Sequence, residues 1–417
     1  MSRRPVKKPA SKKPVAKKVT PVKAKVTAPA KKASKPAKSV RAAAPKSDRY
    51  IIIMAGGRGE RFWPVSREAT PKQLITLLGG RSFLQQAVDR VRPLVPAENI
   101  LIITNSVQAA AVRKQLPELP AANVIAEPVG RDTCAAVTLG AAIVGARSTT
   151  ATMAVLPADH VIPNAKHFQQ VLGDALDLAS RGQVIVTLGI KATGPETGYG
   201  YIRHDLAALP SPEGVKPYKT PFYRAEQFVE KPDLARAEEY VAAGNYRWNA
   251  GMFVWSFVTV TNALEQHQPE MRAACQRWFE AASKGPRVLD KVLAKEYPEI
   301  KKISVDYALM ERAHNVVVAD GSFDWDDLGA WPALARHVNQ DAEGNATVGQ
   351  LVHVDSARNV VYDARTKNRT PITLVGVKDC IVVLADDATL VATKAESQKI
   401  KELVKKLAAD PKLKALV

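Results

Sequence analysis

Short apolar runs separated by helical periodicity set the texture of the chain's first half. Residues 50–54, Tyr-Ile-Ile-Ile-Met, are continuously apolar, the pattern of a strand buried on both faces. A glycine-rich stretch follows. Ser82-Phe83-Leu84-Gln85 is then an S-x-x-Q capping box, which predicts a helix ending before Pro93. The same alternation predicts strands over 100–104, 124–126, 153–156 and 184–188, and helices over 107–115, 132–146 and 165–179. Such alternation predicts an α/β fold whose mostly parallel sheet is covered on both faces, with ligands bound beyond the carboxyl ends of the strands.

From about residue 197 the pattern changes. Segments 199–202 and 222–230 read as strands built over the sheet, and 234–243, 257–282 and 305–313 read as helices. Between 345 and 394 short β-branched runs predominate, at 360–362, 372–375, 381–384 and 390–391, which predicts a small β-rich domain. A charged amphipathic helix over 396–407 closes it. The expected organisation is a tail over 1–47, a main domain over 48–340 and a C-terminal β-rich domain over 341–417.

Charge changes the picture only at the amino end. The chain of 417 residues has a formal charge of +19. Residues 1–47 hold 13 Lys, 3 Arg, seven Pro and no acid or aromatic residue. Such a segment cannot offset its ordering entropy and is expected to be disordered, suited to bind polyanions non-specifically. It lacks the interleaved aromatics that base stacking needs. The rest is nearly neutral, which excludes a globally basic nucleic-acid-binding fold. Cys134, Cys275 and Cys380 form no CxxC pair, so neither a disulfide framework nor a cysteine zinc site is expected. No run reaches the ~20 apolar residues of a membrane span, and the basic leader has no apolar core of a secretion signal. A cytoplasmic location is expected.

The chemistry concentrates in the loop after the first strand. Gly56-Gly57-Arg58-Gly59-Glu60-Arg61-Phe62-Trp63-Pro64 continues to Pro71-Lys72-Gln73. Glycines directly after a buried strand let the backbone approach a phosphate or base closely, and Arg58, Arg61 and Lys72 add cations. The dinucleotide fingerprint fails because Phe62 stands where its third glycine belongs, and no GK[ST] ending makes a Walker loop.

G-G-x-G-x-R-x-x-P with a downstream P-K resembles the signature of the sugar nucleotidyltransferases, carried here by Gly56, Gly57, Gly59, Arg61, Pro64, Pro71 and Lys72. Further segments resemble the mannose-1-phosphate guanylyltransferase group: Glu127-Pro128-Val129-Gly130-Arg131-Asp132-Thr133, Leu156-Pro157-Ala158-Asp159-His160, Thr197 to Ile202, Phe228 to Pro232, Trp248 to Phe253 and Asp324 to Trp331. The resemblance spans roughly 49–410. It implies a Rossmann-like nucleotidyltransferase domain with a mostly parallel mixed sheet, plus a small left-handed β-helix-like domain that packs subunits into a homodimer. It also implies GTP and mannose 1-phosphate as substrates. Some relatives carry a further isomerase domain; ending after the β-rich segment, the chain is expected to have transferase activity only.

Nucleotidyl transfer joins two polyanions, and the attacking phosphate oxygen is already ionised. Positioning and electrostatics therefore carry the catalysis, which calls for cations and a hard divalent metal rather than a nucleophile triad. The resemblance assigns Arg61 and Lys72 to the triphosphate and the transferring group, and Ala55, Gly56, Gly57 and Gly59 to the nucleotide. Arg131 and Thr133 join the nucleotide set, although Asp132-Thr133 equally suits helix capping. Gly198, Glu230, Lys231 and Asn249 are implied for the sugar phosphate, with an exposed strand-end ion pair as the alternative for Glu230-Lys231. Asp159, expected at a strand's carboxyl end, and Asp327 are implied as Mg2+ ligands. A helix cap is the alternative for Asp159, a loop or cap role that for Asp327, and Asp324 and Asp326 compete with it. Trp248, Tyr199 and Trp325 are read as packing residues. Two other readings stay open: the same chemistry with another nucleotide or hexose phosphate, and a non-catalytic polyanion-binding protein.

Overall fold

A computed structural model of the chain describes residues 48–417; the expected disordered tail and its polyanion affinity lie outside the described residues. The chain enters through β1 (Arg49–Met54), whose residues 50–53 are buried as the continuous apolar run requires. β2 (Ile100–Asn105) and β4 (Thr152–Pro157) pair with it in parallel and β3 (Val124–Glu127) pairs in parallel with β2, in the order β3-β2-β1-β4. Between them run α1 (Phe83–Val91), α2 (Ala109–Gln115) and α3 (Asp132–Arg147). The capping box at Ser82 and Gln85 is formed, and α1 ends at Val91, two residues before Pro93. α3 is apolar on every side and its residues 134–145 are all buried, so it is a core helix.

α4 (Ala165–Arg181) leads to β5 (Ile185–Lys191), after which the sheet becomes mixed. β6 (Tyr201–His204), β7 (Phe222–Val229), β8 (Tyr246–Ser256) and β9 (Val316–Asp320) extend it to the order β3-β2-β1-β4-β8-β5-β9-β7-β6. β8 runs antiparallel between β4 and β5, while β5 and β9 are parallel. The segments expected over the sheet therefore form its far edge. Their cross-strand bonds with β8 and β9 satisfy more backbone than a separate two-stranded ribbon could.

α5 (Leu234–Ala243) precedes β8, and α6 (Phe257–His267) and α7 (Pro269–Ser283) follow it. The single helix expected over 257–282 is thus two, because Pro269 has no N–H to continue a helix and starts the next one instead. α8 (Pro286–Glu296) adds a helix that periodicity did not flag. The helix expected over 305–313 is only a π-helical turn at Asp306–Met310.

β10 (Ala346–Val348), β12 (Val360–Asp363) and β14 (Cys380–Leu384) stack in parallel. β11 (Leu351–Val354) and β13 (Ile372–Val375) form a second parallel ladder, and β15 (Thr389–Thr393) returns antiparallel to β14. Two short parallel ladders visited in turn are the signature of a β-helix-like coil. α9 (Ile400–Ala409) closes it. A buried asparagine ladder joins the coils: Asn359 Nδ2 donates to Asn345 Oδ1 at 2.9 Å and to Val377 O at 2.8 Å, and Cys380 N–H donates to Asn359 Oδ1 at 2.9 Å. One apolar cluster spans Phe62, Trp63, Leu328, Trp331, Tyr362, Ile381, Ile400 and Val404, so the β-rich part packs directly beneath the glycine-rich loop. Among the described residues, no helix is long and apolar enough to cross a membrane. Asn359→Ala removes three side-chain hydrogen bonds and leaves the Cys380 N–H without its partner, while Asn345 Oδ1 and Val377 O keep the N–H groups of residues 359 and 357. It is expected to destabilise the protein by about 1–3 kcal/mol, read as a lower urea midpoint with an unchanged slope.

Candidate active site

The loop after β1 is shaped by its own carbonyls. Gln73, buried, donates its amide to Ala55 O at 2.8 Å and to Gly57 O at 3.0 Å, and to Gln108 Oε1 at 3.1 Å. Ala55 N–H donates to Ile103 O at 2.7 Å. Both main-chain groups of Ala55 are thus engaged inside the protein, whereas Gly56 and Gly57 lie exposed at the carboxyl end of the sheet. Gly59 has φ +63°, and a Cβ there would stand 2.5 Å from Lys72 Cβ and 2.6 Å from Lys72 N. Only glycine lets the loop close on the lysine.

Lys72 is 5% exposed. Its ammonium donates to Asp159 Oδ2 at 3.0 Å and to Asp327 O at 2.6 Å, and lies 5.7 Å from the centres of the Phe62 and Phe83 rings. Asp159 stands just beyond β4. It is not a helix cap, since Asn164 caps α4. Burial opposes its ionisation, but the Lys72 charge outweighs this and holds its carboxyl below the usual range. A main-chain bridge brings Asp327 across: Val161 N–H donates to Asp326 O at 2.9 Å and Asp326 N–H to Val161 O at 3.1 Å. Arg61 donates to Gly329 O at 2.6 Å, on the same turn. Arg61, Lys72, Asp159 and Asp327 consequently line one cavity of about 330 Å³, together with Arg58, His160 and Lys401. Arg58 is exposed and pairs with Glu60 at 3.8 Å.

The adjacent acids differ. Asp326 accepts from Arg336 at 2.6 and 2.8 Å, from Leu328 N–H at 2.7 Å, and contacts His337 Nε2 at 2.7 Å. Despite its burial, these partners hold its carboxyl far below the usual range. Asp327 Oδ1 instead accepts only from the Tyr199 hydroxyl among the described hydrogen bonds, at 2.8 Å. Tyr199 packs on Trp248 and Trp325 as expected, but it also orients this carboxylate. His160 Nδ1 accepts from Trp325 Nε1 at 3.0 Å, and burial pushes the imidazole down to about 4, so it is a neutral packed ring near pH 7. Two carboxylates beside a cationic cavity, one steered by a tyrosine, form a hard oxygen donor set that fits a divalent cation shared with phosphate oxygens.

A second cavity, of about 400 Å³, opens on the other side of the glycine loop. Gly56, Gly57, Arg131 and Thr133 line it, with Glu127 and Asp306. Arg131 Nε is buried with no hydrogen-bond partner. Thr133 Oγ1 accepts from Val305 N–H at 2.8 Å, and Asp132 Oδ1 accepts from Thr133 N–H at 2.8 Å, so both hydroxyl and carboxylate do local structural work. Glu127, to which the sequence motifs assign no role, is 7% exposed and accepts from the Tyr297 hydroxyl; burial pushes its carboxyl up to about 7. Its Oε2 would lie 3.2 Å from a Cβ on Gly56. The signal that points to it is a carboxylate opening the E-P-x-G-R-D-T segment at a strand's end.

Asn249, on β8, links this cavity to the remaining residues. Its Nδ2 donates to Asp306 Oδ1 at 3.0 Å, and its Oδ1 accepts from Gly251 N–H at 3.0 Å. Asp306 is pushed up to about 6, first by burial and then by the Glu230 charge. Glu230 is paired with Lys231, whose φ is +50°. A Cβ on Gly200 would stand 2.5 Å from Glu230 Oε2, so the close approach falls there; Gly198 is exposed with open space around it. Asp306 lies in a stretch whose pattern suggests only a helix.

A glycine loop beside one cavity, with cations and carboxylates meeting in the next, is an arrangement suited to nucleotidyl transfer. Residues 50–344 match the nucleotidyl transferase family, and 349–407 match the mannose-phosphate isomerase/GMP-like β-helix domain. The chain belongs to the nucleotidyl transferase family. It is similar to mannose-1-phosphate guanylyltransferase of Klebsiella pneumoniae, 37% identical over 85% of this chain and 72% of that one. The alginate biosynthesis protein AlgA of Pseudomonas aeruginosa is 35% identical, over 86% and 72%. A crystal structure from Thermus thermophilus, described as mannose-1-phosphate geranyltransferase, superposes with a TM-score of 0.74 at 36% identity, over 87% of this chain and 99% of that one.

Gly59→Ala strains a left-handed position and pushes on Lys72. The expected result is a loss of about 10²-fold in turnover, from misplaced cations, with a melting temperature only a few degrees lower.

Proposed function

We propose that the chain transfers a guanylyl group from GTP to mannose 1-phosphate, giving GDP-mannose and pyrophosphate. The observation that carries this reading is the Lys72 ammonium within 3.0 Å of Asp159 and 2.6 Å of the Asp327 main chain, in one cavity with Arg61, in a chain 35–37% identical to relatives bearing that name. An ionised oxygen of the sugar phosphate attacks the α-phosphorus in line, a new P–O bond forms, and the bond to the bridging oxygen of pyrophosphate breaks. Arg61, anchored on Gly329 O, and Lys72 offset the charge growing on the α-phosphate and on the leaving group. Asp159 and Asp327 are the residues for Mg2+, which would neutralise phosphate charge when bound. No general base is needed.

Glu127 supports guanine as the base. A carboxylate accepts two hydrogen bonds, and the guanine edge offers two donors side by side, N1–H and N2–H, whereas adenine offers one donor and one acceptor. Glu230, Lys231 and Asn249, with Asp306 behind them, are the groups for the sugar phosphate. A homodimer built through the β-rich domain belongs to the same reading, supported by Val352, Val354 and Val375, which leave an apolar strip exposed on β11 and β13.

Pyrophosphate release with a panel of nucleoside triphosphates and sugar 1-phosphates is the direct test. GTP with mannose 1-phosphate is expected to lead it, and turnover is expected to survive removal of residues 1–47. No turnover with any pair would favour non-catalytic polyanion binding. Lys72→Ala is expected to cut kcat by roughly 10²–10³, and Asp159→Asn and Asp327→Asn each to raise the Mg2+ concentration for half-maximal rate. Because Glu127 is pushed up to about 7, it is ionised and a double acceptor only above that pH. KM for GTP is therefore expected to fall as pH rises through 7. Glu127→Gln is expected to flatten that profile and shrink the preference for GTP over inosine triphosphate, which lacks the N2 donor.

A further inference from the structure

One residue lining the catalytic cavity, Lys401, comes from the helix that closes the β-rich part of the chain. α9 lays Ile400 and Val404, 3% and 4% exposed, into the cluster that holds Phe62, Trp63, Leu328 and Trp331. The helix is thereby seated against the glycine-rich loop, in the apolar cluster that also holds Leu328 beside Asp327. Trp63 Nε1 donates to Leu416 O at 2.7 Å, and Arg67 pairs with Asp387 at 2.7 Å, which ties the same two parts together beside the helix. Lys401 follows Ile400 directly and lines the cavity with Arg61, Lys72, Asp159 and Asp327.

The cations of this cavity are not equivalent. Lys72 already has Asp159 as its counter-charge. Arg61 donates to a neutral carbonyl, so its charge is unspent. Lys401 has no ion-pair partner among the described residues. Burial, then repulsion from Arg61 and from Lys405 and Lys231, lowers its pKa, with Glu60 opposing. A half-buried ammonium set beside a second cation is unfavourable in the free protein, and an anion entering between them relieves the part of that cost that Glu60 does not offset.

We propose that Lys401 contacts the polyphosphate of the nucleoside triphosphate, and pyrophosphate as it leaves, as a cation partner to Arg61. The identity of the polyanion rests on the guanylyl-transfer reading above. Charge placement favours this end of the substrates over the sugar phosphate, whose own cation in that reading is Lys231. The β-rich part thus completes the catalytic cavity as well as bracing it.

The test uses the full chain with Lys401→Met, Lys401→Arg and, as a control one turn along the same helix, Lys405→Met. Lys401→Met is expected to raise KM for GTP, and for pyrophosphate in the reverse reaction, about tenfold, while KM for mannose 1-phosphate stays within about twofold. Lys401→Arg is expected to recover most of the loss, and Lys405→Met to match the unsubstituted chain, all with unchanged melting temperatures. Equal effects on both substrates, no effect, or an arginine variant as impaired as methionine would overturn the proposal. If Lys401→Met melts early, Lys401→Gln carries the same comparison. Calorimetric titration with inorganic tripolyphosphate separates this proposal from the substrate reading. Were no nucleotide–sugar pair turned over, that reading falls, yet about tenfold weaker tripolyphosphate binding by Lys401→Met would still support the contact, and equal binding would still exclude it.

Discussion

A lysine ammonium that is almost out of solvent must find its counter-charge inside the protein, and the rest of the site follows from how Lys72 does so. Leaving such a charge unpaired costs several kcal/mol. Asp159, at the end of β4, supplies the charge, and the Asp327 carbonyl supplies a second acceptor. Satisfying one side chain therefore fixes three segments: the glycine loop, the end of a central strand, and a turn 168 residues further on. Gly59 is the steric condition for this, because any side chain would occupy the space that Lys72 fills.

The price of this arrangement is that the loop has little secondary structure of its own to hold it. Its rigidity comes from below and behind. Gln73 and Gln108 gather its carbonyls. Phe62 and Trp63 anchor it in a cluster shared with Trp331, Tyr362 and α9. Trp331 Nε1 donates to Trp63 O at 3.0 Å, joining the loop to the segment just after the Asp327 turn. Loosening the β-rich part is thus expected to be felt in the glycine-rich loop, because the same side chains serve as core for both.

What can be read in advance depends on whether the determining contacts are local. β1 to β5 and the helices between them are legible because continuous apolar runs mark the buried strands and capped or apolar stretches of helical length alternate with them, and the place of Asp159 is legible because it directly follows such a run. The break at Pro269 is a local signal too, masked within a longer apolar pattern. Asp327 can be chosen only by resemblance, since the bridge from Val161 to Asp326 that positions it is non-local. Tyr199, Asp306 and Lys401 escape the sequence for the same reason. A tyrosine between glycines, an acid in a helix-like stretch and a lysine among many on a charged helix acquire meaning only when the fold sets them against Asp327, Asn249 and Arg61. Gly198 and Gly200 illustrate the limit at single-residue scale, because both lie in one short motif and only the structure separates the open position from the crowded one.

Asp326 and Asp327 make the same point about function. They are chemically identical neighbours, yet the chain commits one to the scaffold and leaves the other to the cavity. Asp326 collects Arg336, His337 and the Leu328 N–H, and with its charge so fully matched it has little affinity left for a metal. That commitment in turn forms the tight turn in which Leu328 adopts φ +45°, which directs Asp327 the opposite way, toward Tyr199 and Lys72. A saturated carboxylate is therefore what holds its neighbour unsaturated. The availability of Asp327 depends on the ion pair beside it as much as on its own contacts.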